Sequence, residues 1–175
     1  MTDKKIVEPD RGLRLFPAFP VVLACVESEG KRNIITLGMV HVFSFEPPLV
    51  GVGVHPKRYS FAMMRNAKEF TLNIPGKDLL EKTNFCGTHS GRDTDKFRET
   101  GLTPGTSETV KSPVIEECPV NYECKVVKEL ETGDHVWFIA EVTRVRVSDN
   151  YDKENALIYW GKEYRTAGKV LMVRK

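Results

Sequence analysis

Pro119–Val147, PVNYECKVVKELETGDHVWFIAEVTRVRV, is the stretch whose reading decides the fold. It holds two long segments in which apolar and polar residues alternate, the pattern of half-buried strands, and Gly133 sits where ETGDH joins them. That is the signature of a β-hairpin. The rest of the chain extends the theme. FPVVLACVES (19–28) is rich in β-compatible residues and stops at EGKRN, where Gly30 and Asn33 mark a turn. NIITLGMVHVFSF (33–45) is again mainly β, interrupted by Gly38. An isolated glycine in a strand signals a bulge or a close backbone approach. LVGVGVH (49–55) places Gly51 and Gly53 two apart on one face, a smooth strip against which another strand or a flat ligand can lie. EFTLNIP (69–75) and ALIYWG (156–161) complete the β inventory.

Helical spacing is confined to the middle. RYSFAMMRN (58–66) puts Phe61 and Met64 three apart, with Ser60 near the start and Pro56 just before it. In DLLEKTNFCG (78–87), Asp78 and Glu81 have capping-box spacing and Gly87 stands where a helix would need a left-handed terminator. A second brief helix near TDKFRETG (94–101) stops at Gly101 by the same device. Six or seven strands with three short inserted helices predict a mainly β protein, a closed barrel rather than a doubly wound parallel sheet. The tail from Tyr164 onward reads as a docking arm.

Composition narrows the function. A chain of 175 residues, 41% hydrophobic, is expected to form one domain over 1–175 and to bury a core without staples. The net charge of +2 comes from interspersed acids and bases, which argues against a nucleic-acid surface. No apolar run approaches the roughly 20 residues of a bilayer span, and the amino terminus lacks an apolar leader, so a soluble cytoplasmic protein is expected. Cys25, Cys86, Cys118 and Cys124 show no CxxC spacing and read as reduced thiols. Cys25 lies in an apolar run and reads as core. Cys118 and Cys124, six apart, lack the histidines that would complete a metal set.

No Rossmann, P-loop, HExxH or GxSxG motif is present. Two segments remain. In HPKRYS, Lys57, Arg58 and Ser60 cluster at a helix start, where backbone amides favour an anion such as a phosphate monoester. The competing reading is a solvated basic turn capped by Ser60. In NFCGTHSGRDTDKF (84–97), a thiol, an imidazole, hydroxyls, glycines and charges occur with almost no alternation, so the segment is either a solvated loop or the wall of a site. His135 is either a turn residue that orders its hairpin or an imidazole at a ligand mouth. Asp95 and Lys96 are adjacent and point different ways. Trp137 and Trp160 read as core or interface.

The order of these pieces resembles the flavin reductase-like family of FMN-binding split barrels, which includes flavoredoxins and ferric or flavin reductases. The resemblance rests on N-x-x-T at Asn33–Thr36, PPLVGVGV, KRYS, EFTLNI with Asn73, CGTHSGRDTDKF followed by GL, EC at Glu117–Cys118, GDH followed by AEV, and G-x-x-Y at Gly161–Tyr164. It spans about Phe19 to Arg165. It implies a homodimer of six-stranded, Greek-key-like split barrels with noncovalent FMN near the interface.

By that resemblance Thr36, Leu37, Gly38, Met39, Val40 and His41 line the isoalloxazine. Lys57, Arg58, Tyr59 and Ser60 hold the phosphate, and Asn73 belongs to the cofactor set. Cys86, Gly87, Ser90, Gly91 and Lys96 form the loop beside the flavin. His135, near a stacking nicotinamide, and Cys86, as a redox thiol, are the catalytic candidates. The implied activity is NAD(P)H-dependent hydride transfer to flavin N5, with free flavin, a ferric chelate or a redox protein as acceptor. The alternative is a flavoredoxin-like electron carrier reduced by a protein partner. Ranked below these are an amine-phosphate oxidase barrel, for which no second phosphate cluster is seen, and a barrel without cofactor.

Overall fold

The computed structural model of the chain describes residues 2–173. In chain order its elements are α1 (Pro9–Leu13), β1 (Phe19–Pro20), β2 (Val22–Ser28), β3 (Lys31–Leu37), β4 (Val40–Phe45), β5 (Pro48–Val54), α2 (Tyr59–Ala67), β6 (Glu69–Ile74), α3 (Leu80–Thr88), α4 (Lys96–Thr100), β7 (Pro104–Gly105), β8 (Val114–Ile115), β9 (Val120–Thr132), β10 (His135–Val147), β11 (Leu157–Trp160) and β12 (Glu163–Thr166). The hairpin read from the sequence is β9–β10. Gly133 takes a φ of 57° as the first of its two turn residues, a conformation glycine adopts without steric cost.

Seven strands form one antiparallel sheet in the order β3-β2-β6-β9-β10-β5-β4. β3 and β4 lie at its opposite edges yet are separated in sequence only by Gly38 and Met39. Two residues cannot cross the width of a flat sheet. The sheet therefore curls until its edges come together at this two-residue connection, where the amide of Gly53 on β5 donates to the Met39 carbonyl at 2.8 Å and extends the β4–β5 pairing. The protein is mainly β, a split barrel with short helices. Its seventh strand arises because Asn33–Phe45, read as one interrupted β segment, is divided at Gly38 into two edge strands.

Alternation explains the layers. Val22, Ala24 and Val26 of β2 point into the barrel with Val50, Val52 and Val54 of β5, Val136, Phe138 and Ala140 of β10, and Phe61 and Met64 of α2. The intervening Leu23 and Cys25 point outward, yet pack under Leu79, Cys86, Leu102, Ile115 and Cys118. β2 is buried on both faces, which accounts for its unbroken apolar run. All four cysteines are buried and unpaired, and Cys118 and Cys124 belong to different clusters.

The outward face of β6 and β9 is polar but covered. Glu69, Thr71, Asn73, Asn121 and Glu123 alternate with core residues and bind segment 108–115, largely through its main chain. Glu69 accepts from the amides of Lys111 and Ser112, Thr71 donates to the Pro113 carbonyl at 2.6 Å, and Glu123 accepts from the amides of Glu108 and Thr109. These amide donors hold the Glu123 carboxyl below its ordinary range against the opposing effect of burial.

Two local expectations change. Asp78 and Glu81 form no capping box: the residue preceding α3 is Leu79, with no side-chain cap, because 77–79 is a separate 3-10 turn. Gly87 lies inside α3, which runs to Thr88 and ends on extended His89, whereas Gly101 does terminate α4 in the left-handed region at φ 62°. The glycine strip of β5 does receive the neighbouring strand, one of the two occupants its smoothness allows. A Cβ at Gly51 would lie 2.2 Å from the Phe43 ring, and one at Gly53 would lie 3.1 Å from Met39. Among the described residues no helix is long and apolar enough to cross a membrane.

Candidate functional site

β5 leaves the barrel at Val54, and His55-Pro56-Lys57-Arg58 turns the chain into α2. Pro56 presets the turn, which closes through the Arg58 amide and the His55 carbonyl at 2.9 Å. The His55 Nδ1 accepts from the Lys57 amide at 3.0 Å, so in the neutral ring the hydrogen sits on Nε2. Arg58 occupies the N-cap position and supplies no side-chain cap. The Phe61 amide is taken by the Arg58 carbonyl at 3.0 Å, while the amides of Tyr59 and Ser60 keep their affinity for an external acceptor. Ser60 is not the cap of a solvated turn. It is buried, and its Oγ accepts from Asn33 Nδ2 at 2.7 Å, which leaves the hydroxyl hydrogen to donate elsewhere. Lys57 and Arg58 are exposed, and neither makes an ion pair among the described residues.

Facing this turn across a cavity of about 360 Å³ are the end of β3, the last turn of α3 and the loop into α4. Lys96 joins them. Only 4% exposed, its Nζ donates to the carbonyls of Ile34 on β3 and Cys86 on α3, at 2.8 and 2.7 Å. The third ammonium hydrogen has no acceptor among the described residues. Burial, reinforced by the Arg58 charge, pushes the Lys96 ammonium down to about 8, and the neighbouring thiols oppose the shift. Cys86 moves the other way: burial pushes its thiol up to about 11, partly offset by Lys96, so it stays protonated at neutral pH.

Two close approaches shape the wall. A Cβ at Gly91 would fall 2.0 Å from Asn33 Oδ1, and one at Gly87 would fall 3.2 Å from Thr36. Asn33 is 3% exposed, and its Oδ1 has no donor. Such an atom is costly unless something else satisfies it. At the mouth, His135 Nδ1 lies 2.7 Å from Asp134 Oδ1, and its ring meets His55 edge-on with centroids 5.5 Å apart. The His135 contact holds the Asp134 carboxyl below its usual range. An ionised carboxylate only accepts, which assigns the hydrogen to His135 Nδ1.

Of the residues singled out in sequence, the cavity gathers Thr36, Leu37, Gly38, Met39, Lys57, Arg58, Tyr59, Ser60, Cys86, Gly87, Ser90, Gly91, Lys96 and His135. Val40 and His41 fall outside it. Beyond Met39 the chain has become the far edge strand, and both residues line a separate apolar groove. Asn73 is also outside. It is fully buried on β6, donates to the Leu23 carbonyl at 2.9 Å and accepts from the Ile115 amide at 3.0 Å and from Asn121 at 2.9 Å. The cavity also takes in Asn33, Ile35, Gly53, His55, Thr88 and His89, none of which the sequence reading placed in the cofactor set. For Asn33 a signal existed: an amide at the head of N-I-I-T, next to two isoleucines, is too polar for a plain strand interior.

Residues 13–168 match the family model "Flavin reductase like domain". The chain belongs to this flavin reductase-like family. An uncharacterized protein of Archaeoglobus fulgidus is 39% identical over 121 residues, covering 69% of this chain and 68% of its own. The NADH:riboflavin 5'-phosphate oxidoreductase of Streptomyces pristinaespiralis is 27% identical over 150 residues, covering 85% of this chain and 81% of its own. The crystal structure of flavoredoxin from Methanosarcina acetivorans superposes with a TM-score of 0.89 at 27% identity, covering 98% of this chain and 95% of that one.

Proposed function

We propose that the cavity binds one FMN noncovalently and that the chain, acting as a single unit over 1–175 in a cytoplasmic homodimer, is an NAD(P)H-dependent reductase of flavin or ferric chelates. The observation that carries this reading is the arrangement of unsatisfied groups around a cavity of ligand size: an orphaned Asn33 acceptor, an uncapped α2 start beside two unpaired cations, and a buried ammonium with a hydrogen to spare.

The residues divide the work by chemistry. Lys57, Arg58, the Ser60 hydroxyl and the α2 amides suit a phosphate monoester. Asn33 Oδ1 accepts from a polyol hydroxyl. Thr36, already donating to the Thr83 carbonyl at 2.6 Å, offers only its lone pairs to a ligand. The Lys96 ammonium places positive charge in the wall, which favours an electron-rich ring system. His135, held by Asp134, presents Nε2 at the mouth, where a second substrate enters. A bound flavin supplies hydride acceptance from a reduced nicotinamide and onward electron transfer. Cys86, as a buried protonated thiol, contributes shape rather than redox chemistry.

The likeness to a flavoredoxin favours one second reading, an FMN electron carrier reduced by a protein partner. An anaerobic absorbance titration separates the two. FMN that binds more tightly than riboflavin and bleaches on addition of NADH or NADPH supports the reductase. FMN that binds and bleaches only with dithionite supports the carrier. Failure to bind FMN overturns both.

A further inference from the structure

The cavity carries one positive charge too many. Lys57, Arg58 and Lys96 line it, and among the described residues no Asp or Glu does. Lys57 and Arg58 stand at the start of α2, where a phosphate monoester brings a charge of about −1.5 to −2 at neutral pH. Lys96 is then left without a counter-charge. The ionisable groups that face it are the Cys86 and Cys25 thiols and the Arg58 guanidinium. Burial holds both thiols neutral, and Arg58 has the same sign as Lys96. Part of this arrangement is structural. Cys86 lies in the last turn of α3, where carbonyls lack intrahelical partners, so the bonds to Cys86 and Ile34 cap the helix and staple it to β3. A neutral donor would make the same staple without the cost of burying a charge. The staple therefore explains two hydrogens of the ammonium and leaves the charge and the third unexplained. One and two residues beyond these carbonyls, Gly87 and Thr36 meet in the cavity wall, a Cβ at Gly87 falling 3.2 Å from Thr36.

We propose that Lys96 sets the reduction potential of the bound flavin by holding the reduced ring, as an anion, more tightly than the oxidised ring. The proposal rests on the FMN reading above and adds the charge state for which the wall is built. In hydride transfer the C–H bond of the donor breaks and its electron pair forms the new N–H bond at flavin N5. The donor gains one positive charge and the neutral ring one negative charge. The charges around the cavity thus balance only when the ring is reduced. A site that prefers the reduced form raises the midpoint potential, by about 30 mV for each tenfold of preference in a two-electron couple. The staple to Ile34 and Cys86 keeps the ammonium from following solvent, so its field on the wall is fixed before the ligand arrives.

Anaerobic dithionite titration of the FMN-loaded full chain against a reference dye tests this, with FMN binding measured first by absorbance. Wild type is expected to hold FMN at a midpoint potential above that of free FMN. Lys96→Gln keeps donors for the staple and discards the charge. It is expected to lose about tenfold of the preference, a drop of about 30 mV, whereas Lys96→Arg, which keeps the charge, stays closer to wild type. The gap between wild type and Lys96→Gln should narrow above about pH 8, where the oxidised state loses the ammonium. A wild-type potential at or below that of free FMN overturns the assignment. So does a Lys96→Gln potential equal to wild type, which would reduce Lys96 to its staple. If Lys96→Gln does not fold, the wild-type potential still decides. Wild type that takes no FMN is a different failure: it sinks the proposed function itself, and this inference with it.

Discussion

Two buried asparagines sit on neighbouring parts of the barrel and have opposite characters. Asn73 on β6 has every polar atom engaged, its oxygen accepting from the Ile115 amide and Asn121 and its nitrogen donating to Leu23. Asn33 on β3 has a bonded nitrogen and an oxygen with no donor. Satisfied buried amides hold a fold together, whereas an unsatisfied one costs stability until a ligand arrives. For these two asparagines, both buried and both polar, the partner count is what tells them apart.

Asn73→Ala breaks the satisfied member. It strands the Ile115 amide and Asn121, and is expected to cost about 3 kcal/mol. In a chain of this size that lowers Tm by about 6–12 °C in calorimetry, with FMN affinity of the folded protein unchanged. Asn33→Ala tests the unsatisfied member. Only the Ser60 bond is lost, so Tm should fall by no more than about 2–4 °C while the FMN Kd rises about tenfold.

Lys96 sharpens the comparison, because it combines two satisfied hydrogens with a spare one. Its pKa is depressed from 10.5 to about 8. Between those values the unfolded chain binds the extra proton, so this group makes the free protein more stable as pH rises through the window. FMN affinity should move the other way, falling as the cation is lost above about pH 8, and by at most tenfold per unit. Lys96→Met should flatten both trends, which thermal melts and fluorescence titrations from pH 7 to 9.5 would show. The smallest effect is expected from Cys86→Ser. A thiol held protonated by burial takes no part in electron transfer, so stopped-flow reduction rates should change by less than about twofold.

The sequence made the barrel legible wherever alternation reported burial, as in β9–β10, and wherever turn chemistry was explicit, as at Gly133 and Gly101. It made the site legible where residues were poor core material: Cys86–Gly91 with Lys96, and Lys57–Ser60, line the cavity. What escaped was anything that depended on tertiary cover. EFTLNI alternates as a strand with a solvated face would, yet its polar side is buried under 108–115, where Asn73, given to the cofactor set by resemblance, acts as a staple. Gly38 showed in sequence as an interruption but not as the point where one strand becomes two opposite edges. The Asp78/Glu81 pair had cap spacing without a cap, because the 3-10 turn moved the helix start by one residue, to Leu80.

Gly38 and Met39 form both the latch that closes the sheet and a wall of the cavity. The amide of Gly53, bonded to the Met39 carbonyl, therefore ties β5 to that wall, and Gly53 itself lines the cavity. Hydrogen exchange at that amide would report cofactor occupancy through the backbone alone. A filled cavity should slow it with no change in the exchange of β9, which lies at the centre of the sheet.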